Sequence, residues 1–246
     1  MEVFDCNDQA ERPAAIAAAL AAVGRHEVIC LPTDTVYGVG ADAFSAEAVT
    51  NLLNAKSRTR AMPPPVLVSS PEQIGPLVAE LPAPARALID AFWPGALTII
   101  LPAGQVGWDL GETNGTVALR MPDDPVALEL LAATGPLAVT SANITGEPPA
   151  QTVDDAVAQL GDSVAVYLDR GRCGGGVPST IVSFAAPVGA DAGAKAGGGA
   201  PDARRAETAG GLESDARPGV VDEPMFIRHG AIPDSEILRV IGEARA

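Results

Sequence analysis

Apolar and polar positions along this chain fall into two periods, and the switches between them mark its elements. Residues 13–23, PAAIAAALAAV, are alanine-rich, with Pro13 near the start and Gly24 just past the end, which predicts a helix. Residues 28–31 form a short continuous apolar run, the mark of a buried strand that ends at Pro32-Thr33-Asp34-Thr35. Gly38-Val39-Gly40 reads as a turn. Ser45 then caps a helix whose apolar residues Ala48, Val49, Leu52, Leu53 and Ala55 recur at helical spacing. Residues 66–68 predict a strand, and Ser70-Pro71 opens a short helix carrying Ile74, Leu77 and Val78. A helix is expected over 84–92, strands over 96–101 and 116–121, a helix after Asp124-Pro125, and a strand over 137–140. Thr152 caps a helix to Leu160, with Asp154 and Asp155 in its first turn, where the helix dipole favours them. Residues 164–168 and 180–184 are strands flanking the loop DRGRCGGGVPS. Strands alternating with helices in this way predict a layered α/β domain around a largely covered mixed sheet.

From Ala185 the texture changes to Ala, Gly and Pro with no repeating large apolar side chain. Such a stretch buries too little surface to offset its ordering entropy, so residues 185–219 are expected to be a flexible linker. Order is expected to resume at Val220 and Val221 and over 225–232, followed by a helix over 235–244. The division is therefore a domain over 1–184, a linker over 185–219 and a tail over 220–246. The tail is expected to dock on the domain as a lid strand and helix.

Charge and cysteine usage narrow the function classes. With 246 residues and 47% hydrophobic content the chain is long enough for one sizeable core. Its formal net charge of -15 argues against gripping nucleic acid by the backbone, which needs a basic surface. Cys6, Cys30 and Cys173 are odd in number and far apart, which fits neither a disulfide framework nor a zinc site and suits a reducing compartment. The N-terminus MEVFDCND shows no secretory pattern, and no apolar run approaches the roughly 20 residues of a membrane span. A soluble, cytoplasmic protein is expected.

Cations stand out against this acidic background. Lys56-Ser57-Arg58-Thr59-Arg60 closes a predicted helix, and Lys56 and Lys195 are the only lysines in the chain. Lys56 and Arg58 beside the polar strand end are a plausible phosphate clamp, because charge-assisted bonds to phosphate are strong. A cationic helix end is also favoured by the dipole alone. Ser141-Ala142-Asn143, after a buried strand, offers donors and acceptors aimed at one point, although Ser-x-Asn recurs in many turns. Arg120 sits late in an apolar strand, where it needs either a protein carboxylate or an anionic ligand.

Taken together, PTDTVYGVG from Pro32, the Lys56-x-Arg58 pair, TVALRMP from Thr116 and the Ser141-x-Asn143 loop resemble the YrdC family, the L-threonylcarbamoyladenylate synthases. FWPGALTIIL, Ser179-Thr180-Ile181-Val182 and the segment from Phe226 to Ile232 resemble further family segments. The resemblance spans residues 13–184 and 225–237. It implies a YrdC-like twisted mixed sheet covered by helices. It implies that Lys56, Arg58, Ser141 and Asn143 bind and activate the ATP phosphates, with Thr116 and Arg228 also on the nucleotide. Thr35, Arg120 and Ser179 would bind threonine. The implied reaction joins L-threonine, bicarbonate and ATP into L-threonylcarbamoyladenylate and pyrophosphate, aided by magnesium. The product would pass to a separate transferase that modifies adenosine beside the tRNA anticodon.

Three departures from the family pattern bear on the site. Pro63-Pro64-Pro65 replaces a commoner Lys-Pro-Leu-Ile run, Leu67 replaces a His that touches threonine in many relatives, and His229 replaces a Pro. No protein metal ligand is identified, and the additional domain that follows the linker in some relatives is expected to be absent. Two other readings compete: a YrdC-type module for double-stranded RNA or ribosomal precursors, and the carbamoyl-transfer maturation factors for hydrogenases. The charge weighs against the first. The second calls for zinc-finger cysteines and an acylphosphatase region, which this sequence lacks.

Overall fold

The structure, a computed structural model, describes residues 1–186 and 218–245. The expected linker, apart from its ends, lies outside the described residues. The strands are β1 (Glu2–Asp5), β2 (Ile29–Leu31), β3 (Gly38–Asp42), β4 (Val66–Leu67) and β5 (Leu97–Pro102). They continue as β6 (Thr116–Arg120), β7 (Leu137–Ser141), β8 (Val166–Asp169), β9 (Thr180–Ala185) and β10 (Val220–Arg228). The helices are α1 (Arg12–Gly24), α2 (Ala46–Ala55), α3 (Ala83–Phe92), α4 (Pro125–Thr134), α5 (Val153–Leu160) and α6 (Asp234–Ala244).

All ten strands form one mixed sheet in the order β1-β8-β2-β3-β7-β4-β6-β5-β9-β10. Parallel pairing joins β1 to β8, β2 to β8, β4 to β6 and β5 to β9, and the remaining neighbours are antiparallel. Two apolar cores flank the sheet. On one side Leu52 of α2, Leu88 of α3, Leu160 of α5 and Ile237 of α6 pack over Cys30, Ile99, Val117 and Val182. On the other, Ala15 and Ala19 of α1 and Leu130 and Leu131 of α4 cover Ile29, Leu31, Leu137 and Val139. Alternate residues of β2 thus feed opposite cores, as period-2 geometry requires. Burying one such leucine contributes about 1.5–3 kcal/mol.

Helix starts follow the expected chemistry. Ser45 accepts from Ala48 N at 3.2 Å, Asp124 accepts from Val126 and Ala127, and Thr152 with Asp155 completes a capping box on α5.

Four expectations are corrected. Gly38-Val39-Gly40 is not a turn but the start of β3, paired with both β2 and β7. A Cβ at Gly38 or Gly40 would meet a Val139 methyl at 2.8 or 2.9 Å, so the glycines serve close strand packing. β1 was not foreseen; it pairs with β8 at one edge of the sheet. The element at Pro71–Leu77 is a 3-10 helix with Pro76 inside it, since proline denies the α-helical bond. Finally, β9 runs to Ala185 and Ala186 N bonds Gly219 O at 2.8 Å, so both expected linker ends belong to the sheet edge. The tail docks as the edge strand β10 and as α6, which packs on α3.

Candidate active site

Period-2 geometry puts Thr116, Ala118 and Arg120 on one face of β6 and Val139 and Ser141 on one face of β7. Likewise Thr98 and Ile100 share a face of β5, and Ser179 precedes β9 in step with Ile181. All nine residues line one cavity of about 380 Å³, a volume typical of small-ligand sites. The cavity occupies the sheet face that α1 and α4 leave uncovered. It is therefore not confined to the strand ends where open α/β sheets commonly bind ligands. Thr33 and Thr35 after β2, the proline run 63–65 and Arg58 complete its walls.

Among the described residues three arginines line the walls, Arg58, Arg120 and Arg228, and no carboxylate does. Asp34 stands behind Arg120, accepting from its Nη2 at 2.6 Å and from Asp123 N at 3.1 Å. Arg120 also donates to Thr35 Oγ1 at 3.1 Å and to Gly95 O at 3.0 Å, so its fork is fixed on three sides. Burial lowers its pKa, and the Asp34 charge offsets part of that. Arg120 thus has the protein carboxylate that a buried arginine requires while still facing the cavity.

Arg58 has no carboxylate partner among the described residues. Its Nε donates to Met62 O at 2.7 Å, its Nη1 to Thr140 Oγ1 at 2.8 Å, and its Nη2 reaches Pro63 O at 3.4 Å. Desolvation lowers its pKa. Arg228, from β10, donates to Ser179 O and Ser179 Oγ, both at 2.9 Å. Ser179 Oγ in turn lies 2.8 Å from Thr98 Oγ1. Desolvation and the nearby Arg120 charge lower the Arg228 pKa.

Lys56 differs from the expectation for a phosphate-facing cation. It caps α2, is 2% exposed, and does not line the cavity. Its ammonium donates to Ser141 O, to Asn143 O at 2.5 Å and, more weakly, to Asn143 Oδ1 at 3.4 Å. The Lys56 carbonyl accepts from Thr145 N at 3.1 Å and Thr145 Oγ1 at 2.9 Å. Lys56 therefore clasps the Ser-x-Asn loop from behind. Desolvation, followed by repulsion from Arg58, lowers its pKa from 10.5 to about 8. Asn143 is also behind the wall, its Nδ2 donating to Ile144 O and Glu147 O at 2.9 and 2.8 Å.

The structure thus brings Arg58, Thr116, Ser141, Thr35, Arg120, Ser179 and Arg228 to one cavity and sets Lys56 and Asn143 behind it. Leu67, 4% exposed, lines the same cavity. Thr98 is a wall residue beyond those expected from sequence, although it carries the same signal as Arg120: a polar side chain inside an apolar run. No cluster of three His, Cys, Asp or Glu that could hold a metal occurs among the described residues. The polar side chains lining the cavity are arginines and hydroxyls, which fit an anion and not a protein-held magnesium.

An α/β domain whose sheet face carries a small cavity walled by arginines and hydroxyls has the donor set that suits a small anionic ligand. Comparison with known proteins goes further. The family model Sua5/YciO/YrdC, described as "Telomere recombination", matches residues 21–189, and the chain belongs to that family. A Mycobacterium tuberculosis protein provisionally assigned as a threonylcarbamoyl-AMP synthase is 52% identical over 184 residues, covering 74% of this chain and 85% of that protein. The threonylcarbamoyl-AMP synthase of Bacillus subtilis is 40% identical over 69% of this chain and 50% of its own length. Among solved structures, Pyrococcus abyssi Sua5 complexed with L-threonine aligns with a TM-score of 0.76 at 28% identity. That alignment covers 98% of this chain but only 61% of the Pyrococcus chain. Escherichia coli YciO, at 19% identity and a TM-score of 0.68, shares the fold over 96% of this chain.

No helix among the described residues is long and apolar enough to cross a membrane.

Proposed function

We propose that this chain is a threonylcarbamoyl-AMP synthase, a nucleotidyltransferase that makes threonylcarbamoyl-AMP and pyrophosphate from L-threonine, bicarbonate and ATP. The observation that carries this reading is a cavity with three arginines and, among the described residues, no carboxylate on its walls, in a protein of net charge -15. A folded protein this acidic that concentrates cations in one small cavity has a site for anions, and the substrates are an amino acid carboxylate, bicarbonate and a polyphosphate.

The roles divide along the cavity. Thr35, Arg120 and Ser179 hold threonine, with the fixed Arg120 fork matched to a carboxylate. Arg58, Ser141 and Thr116 receive ATP, and Lys56 and Asn143 hold the Ser141 loop that meets the phosphates. Arg228 stands by Ser179, at the threonine end, where the amino acid and the α-phosphoryl group must meet. The threonine amine and bicarbonate lose water to give a carbamate. A carbamate oxygen then attacks the α-phosphorus, an in-line P–O bond forms, and pyrophosphate leaves with the electrons of the broken bond. The protein's share is positioning and charge neutralisation. Magnesium enters as part of the ATP substrate, since the walls offer it no carboxylates.

In this reading residues 1–186 carry most of the chemistry, and the docked tail, 218–245, closes one side of the cavity with Arg228. The product passes to a separate transferase acting on tRNA adenosine, and strong direct binding of nucleic acid by this chain is not expected at its net charge. Three free, buried cysteines suit a reducing, cytoplasmic setting. The test is pyrophosphate release from ATP with each substrate omitted in turn. Release must need both L-threonine and bicarbonate; equal turnover with serine, or turnover without bicarbonate, overturns the assignment.

A further inference from the structure

The tail meets the domain at one corner with little space to spare. Ala231 N donates to Pro178 O at 3.0 Å. Thr180 Oγ1 lies 2.7 Å from Ile232 O and 3.0 Å from Ile232 N, so one hydroxyl serves both backbone groups of Ile232. Between these bonds and Arg228 lies Gly230. A Cβ built there falls 2.5 Å from Pro178 O, Ser179 C and Ser179 O. No left-handed conformation is involved, so the demand is for space alone. Backbone atoms cannot rotate away as a side chain would. Any residue other than glycine must therefore lift residues 228–232 from residues 178–180.

What that would move is specific. Ser179 receives both bonds from the Arg228 guanidinium and also touches Thr98. Ser179 and Arg228 both line the cavity, and Arg228 lies beyond residue 189, where the family match ends. The rest of the tail is anchored elsewhere. β10 pairs with β9 from Val220 onward, and Ile237 and Ile241 of α6 are 0% and 3% exposed. A local lift at Gly230 thus leaves the tail attached while displacing the guanidinium.

We propose that Gly230 is a positioning residue of this site: its missing side chain lets the tail clasp Pro178–Thr180, and the clasp seats Arg228 on Ser179 at the threonine end of the cavity. The catalytic part of this inference rests on the proposed synthase reading; the geometric part does not.

The experiment has two arms. In the first, the Arg228 Nε–H signal is followed by NMR in the ligand-free protein. It should be protected from exchange in the wild type by Ser179 O and exchange at least tenfold faster in Gly230→Ala. Unchanged protection overturns the proposal, whatever the protein's activity. The second arm is a double-mutant cycle on pyrophosphate release. Arg228→Ala and Gly230→Ala should each lower kcat/KM by roughly ten- to a hundredfold, the usual range for a charged hydrogen bond. The double variant should be no worse than the poorer single, because both remove one interaction. Losses that multiply would mean that Gly230 acts only on general stability, which overturns the proposal. If Gly230→Ala does not fold, Thr180→Val, which removes the other half of the clasp, takes its place in both arms with the same expectations. An inactive wild type would sink the synthase reading and leave the first arm to decide the geometry.

Discussion

Raising the pH from 7 to 9 should weaken ATP binding about tenfold through Lys56. Its ammonium is buried against carbonyl oxygens of the Ser141 loop with no carboxylate nearby, and its pKa falls to about 8. A bound polyphosphate favours the charged form and should return that pKa toward the ordinary value near 10.4. The lysine then takes up a proton when ATP binds, about half a proton at pH 8 and about 0.9 at pH 9, by linkage. Affinity tracks the protonated fraction of the free protein, which drops about tenfold between pH 7 and 9; this corresponds to about 1.4 kcal/mol. Phosphate groups with a last pKa near 6 are already ionised over this range and do not contribute. Calorimetry in two buffers of different ionisation enthalpy, at pH 8, reads the proton count directly. Lys56→Met should abolish the uptake. Binding with no proton uptake at pH 8, or equal uptake in Lys56→Met, would refute the reasoning.

Three further outcomes are expected. Lys56→Ala should abolish synthesis and Lys56→Arg should not restore it, because a planar fork cannot replace a point charge bonded to converging carbonyl oxygens; near-normal pyrophosphate release in either variant contradicts this. Arg120→Lys keeps the charge but loses the fork to Asp34, Thr35 and Gly95, so the KM for threonine should rise at least tenfold, at about 1.4 kcal/mol, with little change for ATP in initial-rate kinetics. Replacing residues 187–217 by a four-residue turn is compatible with the Ala186–Gly219 bond; it should leave kcat unchanged and add nearly 2 kcal/mol of stability, about 1.8 from loop closure, read as a higher urea midpoint.

Much of the fold was legible because it rests on local rules. Caps at Ser45, Asp124 and Thr152, apolar runs and the helical periods of α2 and α6 each mark an element without reference to the rest of the chain. The misses have non-local causes. Gly38-Val39-Gly40 carries the composition of a turn, and only the approach of Val139 from β7 explains why a strand needs glycine there. β1, four residues with two acids, has no internal signal and exists because β8 offers it an edge. At the site, Arg120 and Ser141 were readable as polar residues at the ends of apolar strands and Arg58 as a cation closing a helix, whereas Ser179 was reached only through the family resemblance. The place of Lys56 was not: whether a helix-end lysine faces a ligand or clasps a loop depends on residues 141–145, which lie some 85 positions away. Likewise nothing in the spacing of Gly230 announces the backbone of Ser179 against it.

The central claim is that carbon from bicarbonate joins threonine and AMP in this cavity. The direct measurement is mass spectrometry of the product formed from 13C-bicarbonate, L-threonine and ATP. One labelled carbon in threonylcarbamoyl-AMP, formed mole for mole with pyrophosphate and absent with Arg58→Ala, is the expected result. An unlabelled adenylate of threonine, or pyrophosphate release with no threonine present, would contradict it.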